Sequence, residues 1–150
     1  MDDLRKIKDF YCSWAQGTAL YARWANNQGI GYPEFMVLYA LNISDKLTQK
    51  AISEGYGLPK QTVNTVIRNL KKNDYITLEL SQKDKREKTV TLTDKGKEYS
   101  SKIITPVFDI EKRIYENIGY ERITQMKETV DLFNILFEKE LERNEKNKWM

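Results

Sequence analysis

Apolar side chains return at steps of three and four along the first part of the chain. Ile7, Tyr11, Trp14, Tyr21 and Ala25 share one face, with Thr18 in the same register, which predicts a helix over 2–28. Gly17 interrupts the pattern weakly, and Asn26 to Gly31 has the composition of a turn. Pro33 then suits the first turn of a second helix, where a missing N–H is harmless. That helix, from Glu34 to about Asn42, is apolar nearly all round (Phe35, Met36, Val37, Leu38, Tyr39, Leu41), so it is expected at the centre of the core. After a loop over 42–46, Thr48 can cap a third helix running from Gln49 to Gly55, and Gly55-Tyr56-Gly57 reads as its closing turn. A fourth helix, about 59–73, carries Val63, Val66, Ile67 and Leu70 on one side and Gln61, Asn64, Thr65 and Arg68 on the other. Asn73 or Asp74 can end it in the left-handed conformation.

The period then changes from helical to two. Ile76, Leu78 and Leu80 alternate with Thr77 and Glu79; further on, Val90 and Leu92 alternate with Thr89, Thr91 and Thr93. Two half-buried strands joined at a charged reversal make a ribbon over about 76–92. Thr93 is placed to cap a fifth helix reaching Asn117, which Pro106 should bend or break near Thr105. Gly119 separates a last helix, 120–145, with Ile123, Met126, Val130, Phe133 and Phe137 in one stripe, joined by Leu132, Leu136 and Leu141. A stripe this wide and aromatic calls for a partner surface. The tail from Glu142 to Met150, polar apart from Trp149, is expected to fray. No internal repeat or low-complexity tract is visible.

Composition narrows the function more by what is missing than by what is present. The 150 residues contain no histidine and one cysteine, Cys12, so internal disulfides, histidine-based acid–base chemistry and histidine metal sites are excluded. With no phosphate-cradling glycine loop, no metal-ligand spacing and no nucleophile beside a base, an enzyme is not expected, and neither is a cofactor or metal. No apolar run reaches the roughly 20 residues a membrane helix needs. Met1-Asp2-Asp3-Leu4 does not resemble a signal peptide, so a cytoplasmic location is expected.

Charge is unevenly placed. Residues 58–90 hold eight basic side chains against four acidic ones, and the rest of the chain holds 17 against 18. The whole positive surplus thus falls on the fourth helix and the ribbon, where a polyanion would bind. Helix, short glycine turn and helix make a helix-turn-helix pattern. Its second helix offers Lys60, Gln61, Thr62, Asn64, Thr65 and Arg68, residue types that suit base edges in the major groove. The ribbon tip adds Lys83, Lys85, Arg86 and Lys88, with Asp84 two residues before Arg86. Arg86 suits a narrow minor groove, and Asp84 can hold its guanidinium in a fixed direction. The expected partner is double-stranded DNA. A winged-helix module that binds protein is the alternative, and it predicts that reversing the charge of Arg86 has no effect.

The segment Asp84-x-Arg86-x-x-x-Val90-x-Leu92-Thr93-x-x-Gly96 resembles the wing signature of the MarR family of bacterial transcription regulators. Leu47-Thr48-Gln49 followed by Leu58-Pro59-Lys60-Gln61-Thr62-Val63 is similar to its helix-turn-helix, and Tyr32-Pro33-Glu34-Phe35 to its second helix. The likeness is good over about 30–97. Two departures stand out: Pro59 where the family often has a capping serine or threonine, and Asp74 where it usually has glycine.

The resemblance implies a fold that is mainly α with a small β-wing. A winged helix-turn-helix core over 31–97 would be flanked by dimerisation helices over 1–30 and 98–150 in one integrated subunit. It also implies a homodimer acting on a near-palindromic operator as a repressor, released by a small molecule bound between the DNA-binding and dimer regions. Tyr11, Trp14, Tyr21, Tyr32, Phe35 and Tyr39 are candidates to line a site for an aromatic or phenolic effector, although aromatics at helical spacing also serve as plain core. Some relatives sense peroxide through a cysteine in the first helix. Cys12 is read first as an inert buried thiol, with redox response as the alternative.

Overall fold

In a computed structural model the described residues are 1–148, and they fall into two compact units, Met1–Pro106 and a second beginning at Val107. Within the first unit, α1 (Asp2–Asn27) has Asp2 and Asp3 in its first turn, where carboxylates oppose the positive end of the helix dipole. It stops at Gly29, whose φ of 79° lets the Ile30 N–H return to the Ala25 carbonyl. Ala25 is its one buried residue. Trp24 fixes that end by donating its Nε1–H to the Ile103 carbonyl at 3.1 Å.

Helix α2 (Tyr32–Ile43) has Pro33 in its first turn and buries Phe35, Val37, Leu38, Ala40 and Leu41. It is the central helix that its all-round apolar character predicts. It runs one residue further than expected at the C-terminal end, where the Asn42 side chain bonds back to the Leu38 carbonyl.

A two-residue strand, β1 (Leu47–Thr48), was not expected and follows the loop directly. Thr48 closes this strand and also caps α3 (Gln49–Tyr56), its hydroxyl accepting from the Ala51 N–H. Helix α3 continues through Gly55 and Tyr56, past the predicted stop. Only Gly57, at φ 63°, takes the left-handed turn that ends it. Helix α4 (Lys60–Lys72) begins after Pro59 without a side-chain cap, and it buries Val63, Ile67 and Leu70. Asp74, at φ 59°, is the one non-glycine residue in the left-handed region among the described residues. It turns the chain from α4 into the sheet.

The sheet is antiparallel, with β3 (Lys88–Leu92) between β1 and β2 (Ile76–Leu80). Val90 pairs with Leu78 on one side and Leu47 on the other. This central place explains why Val90 and Leu92 are buried while the outer end of the ribbon is wet.

Thr93 then caps α5 (Asp94–Ile118), accepting from the Gly96 N–H. Of the two outcomes expected at Pro106, a bend or a break, the break does not occur: α5 is continuous through it. Proline removes one helical hydrogen bond, but Ile103 and Ile104 are buried just before it, and the Ile103 carbonyl is held by Trp24. Packing therefore outweighs the local preference.

In the second unit α5 ends at Gly119, φ 95°, and α6 (Tyr120–Lys148) follows. Tyr115 and Tyr120 meet edge to face across this bend at 6.3 Å. Helix α6 reaches further than the predicted 145, and the expected fraying from Glu142 is not seen as far as Lys148. The part of that expectation that fell on Trp149 and Met150 lies outside the described residues. None of the described residues of α6 is buried. Met126, Leu132, Phe133, Leu136, Phe137 and Leu141 are all exposed, with the Phe133 and Phe137 rings stacked at 5.9 Å.

Candidate nucleic-acid interface

The apolar side of α4 is spent on the core, which leaves its other residues to solvent. Lys60, Gln61, Asn64, Thr65 and Arg68 are exposed, while Thr62 is half-buried. The Thr65 hydroxyl donates to the Gln61 carbonyl at 3.0 Å, so its methyl group and an oxygen lone pair remain to face outward.

Between α3, α4 and the ribbon lies a cleft of about 890 Å³. Lys60, Asn64, Arg68 and Lys71, at steps of four, four and three, form its helical wall. Gln49 and Lys50 enter from the start of α3, and Leu78, Asp84, Arg86, Glu87 and Lys88 come from the ribbon; Val63 and Ile67 lie at its base. Six cationic side chains thus face two carboxylates in one concavity. A groove of this kind concentrates positive potential over its length.

The structure divides the predicted site residues. Lys60, Asn64, Arg68, Asp84, Arg86 and Lys88 meet in the cleft, whereas Gln61, Thr62, Thr65, Lys83 and Lys85 do not line it. Lys88 belongs to β3 and not to the tip. Gln49, Lys50 and Lys71 were missed. Lys71 was within reach of sequence reasoning, being three residues after Arg68 on the same helical face. The two α3 residues were not, because only the packing of α3 on α4 brings them there.

The tip is a built turn. The Ser81 N–H donates to the Glu87 carbonyl at 2.8 Å, and the Glu87 N–H to the Asp84 carbonyl at 3.0 Å. The Asp84 carboxylate accepts the backbone N–H of Arg86 at 3.0 Å. This corrects the expectation that Asp84 orients the Arg86 guanidinium: a carboxylate two residues ahead satisfies the nearer amide first, as in other aspartate turns. Among the described residues the guanidinium makes no ion pair with Asp84, so its planar set of donors remains available.

The ribbon's inner end is anchored to α5. Tyr75, between α4 and β2, stacks on Tyr99 with ring centres 4.2 Å apart and the planes parallel. The Tyr99 hydroxyl donates to the Glu34 carboxylate at 2.9 Å. Burial, and then the bond to Glu34, push the Tyr99 phenol well above its ordinary range, so it remains a donor at any physiological pH.

The MarR family model matches residues 28–87, the span that builds the helix-turn-helix and most of the ribbon. Over 95% of this chain and 96% of the other, the fold is similar to that of NMB1585, a MarR family regulator from Neisseria meningitidis, with a TM-score of 0.78 and 27% identity. Over these residues the chain is similar to the MarR family. It is also similar to the HTH-type transcriptional regulator SarZ of Staphylococcus aureus, 25% identical over 127 residues that cover 85% of this chain and 80% of SarZ. The fold is also similar to that of overoxidized AbfR bound to DNA, with 24% identity, 79% of this chain and 93% of AbfR covered and a TM-score of 0.57.

The six aromatic residues considered for an effector site are not all brought together. Phe35 is fully buried, with Tyr21 at 6.0 Å and Tyr39 at 5.9 Å between ring centres, and Tyr39 in turn meets Tyr56. Tyr32 is half-buried at the start of α2. Tyr11 and Trp14 stand on α1 at 69% and 48% exposure, Trp14 tilted against Phe10. Cys12 is exposed, contrary to the expectation of a buried thiol, because α1 is covered only near Ala25.

Proposed function

We propose that this protein is a cytoplasmic homodimeric repressor of the MarR family that binds a near-palindromic DNA operator. The observation that carries the reading is the cleft between α4 and the ribbon, with six cations facing two carboxylates. In this reading Lys60, Gln61, Thr62, Asn64, Thr65 and Arg68 enter the major groove. Lys83, Lys85, Arg86 and Lys88 reach the adjacent minor groove and its phosphates, and Asp84 holds the turn that presents them. Residues 31–97 form the DNA-binding region. The segments 1–30 and 98–150 supply the dimer surface, which accounts for the apolar side chains left exposed on α1 and α6. A two-fold dimer sets its reading helices about 34 Å apart, one turn of duplex. A small aromatic or phenolic effector releases the operator by preferring a dimer geometry unfit for it. Tyr21 and Tyr39 beside Phe35, with Tyr32 at the start of α2, are the side chains offered to it.

Selection of genomic fragments by the purified protein, followed by salt titration on the best fragment, tests this reading. The logarithm of affinity should fall linearly with the logarithm of salt, with a slope of about −0.9 per phosphate neutralised. A flat salt response, or a monomer in sedimentation at working concentration, overturns it. A redox-responsive form of the same regulator is the second reading, favoured by the exposure of Cys12. It predicts that peroxide weakens DNA binding in the wild type and leaves Cys12→Ser unchanged.

A further inference from the structure

The junction between α4 and the ribbon is held from outside by side chains that no DNA contact requires. Tyr75 is the pivot. Its carbonyl accepts the Thr93 N–H at 3.0 Å, and its ring is stacked on Tyr99 and lies under the Lys95 ammonium, 5.3 Å from the ring centre. Lys95 also donates to the Asn73 carbonyl at 3.0 Å, and the Thr93 hydroxyl to the Asp74 carbonyl at 2.6 Å. The last carbonyls after α4 are thus tied, one after another, to the first turn of α5. The contact is so close that a Cβ on Gly96 would fall 1.8 Å from the Tyr75 oxygen. Tyr99 extends the tie to Glu34 in the first turn of α2, 65 residues away in sequence. Arg86 is carried on the far end of the same ribbon, so a small rotation at Tyr75 becomes a larger displacement at the cleft.

We infer that the Glu34–Tyr99–Tyr75 chain is a positioning clamp that sets the separation of the ribbon cations from α4 and thereby the affinity for duplex DNA. The inference rests on the DNA-binding reading above. Tyr99 and Glu34 touch no nucleic acid in this scheme. They narrow the range of ribbon positions before binding, so that less ordering remains to be done when DNA arrives.

The test is a set of variants of the full chain, titrated against a labelled duplex made from the best-retained genomic fragment. Tyr99→Phe keeps the ring stack and removes the bond to Glu34. It is expected to weaken duplex binding about fivefold, the equivalent of one hydrogen bond. Glu34→Gln keeps an acceptor and should bind within about twofold of wild type. The deciding measurement combines Tyr99→Phe with Arg86→Ala, a residue at the other end of the ribbon. If the clamp acts by placing that arginine, its effect shrinks below about twofold once Arg86 is gone. Equal losses in both backgrounds, or wild-type affinity for Tyr99→Phe alone, overturn the clamp. Should Tyr99→Phe fail to fold, Glu34→Ala removes the same bond from the opposite side and decides by the same cycle. A wild-type chain that binds no duplex overturns both this inference and the reading it rests on. Binding that is weakened by Arg86→Ala but indifferent to Tyr99→Phe overturns the clamp alone.

Discussion

Helices α2 and α6 are both rich in apolar residues, yet they meet opposite fates. Helix α2 buries Phe35, Val37, Leu38, Ala40 and Leu41 within 12 residues, whereas α6 buries none of the described residues in 29. One helix packs against α1, α3, α4 and β3 of its own unit. The other keeps Phe133, Leu136 and Phe137 exposed. Apolar periodicity thus reports that a face needs covering but not whether the cover comes from the same chain. Helix α4 joins the two cases, with Val63, Ile67 and Leu70 buried and a polar and cationic side left open.

The contrast can be broken at α2 first. Leu38 is fully buried, so Leu38→Ala should lower unfolding free energy by about 3 kcal/mol through lost burial and a cavity. A chemical-denaturation midpoint little changed from wild type would refute its place at the centre. On α6 the same kind of change should act on association. Phe137→Glu is expected to weaken self-association by roughly 2 kcal/mol, as for a central interface aromatic. The melting of the dilute monomer should move by less than about 0.5 kcal/mol. Sedimentation at several concentrations separates the two effects, and an unchanged dimer would show that the stripe is not the interface.

On α4, Lys71→Ala sharpens the intermediate case. It should reduce the salt slope of duplex binding by about one phosphate per subunit while leaving base preference intact. Loss of sequence preference would place Lys71 on bases instead. At the end of α4, Asp74→Gly relieves a left-handed φ of 59° and should add about 0.5–1 kcal/mol of stability. Tyr99 gives the smallest effect near neutrality. Because its folded-state pKa is raised, its contribution is complete below the ordinary phenol value of about 10 and declines as pH climbs beyond it. Wild type should therefore lose stability faster than Tyr99→Phe in alkaline unfolding, and parallel curves would contradict this.

Much of the architecture was legible because the periods were long and consistent. The α1 helix, the buried α2, the alternation across 76–80 and 88–92, and the caps at Thr48 and Thr93 all follow from local residue chemistry. The misses share a physical cause, since each depends on contacts remote in sequence. Strand β1 is too short to show a period and exists because Leu47 pairs with Val90. Pro106 is tolerated because its neighbours are packed. Cys12 is exposed because α1 is covered only near its C-terminal end. Within the cleft, residues on α4 and the ribbon could be read from charge and spacing, while Gln49 and Lys50 required knowledge of how α3 packs.

Thr48 ends a sheet ladder and starts a helix in the same residue, pairing with Thr89 while its hydroxyl receives the Ala51 amide. No slack separates the two roles, so the chain here cannot absorb a change in length. A single residue inserted after Leu47 would force a choice between the paired strand and the capped helix, whereas the outer turn of the ribbon, bound only to itself, is the natural place for this fold to vary.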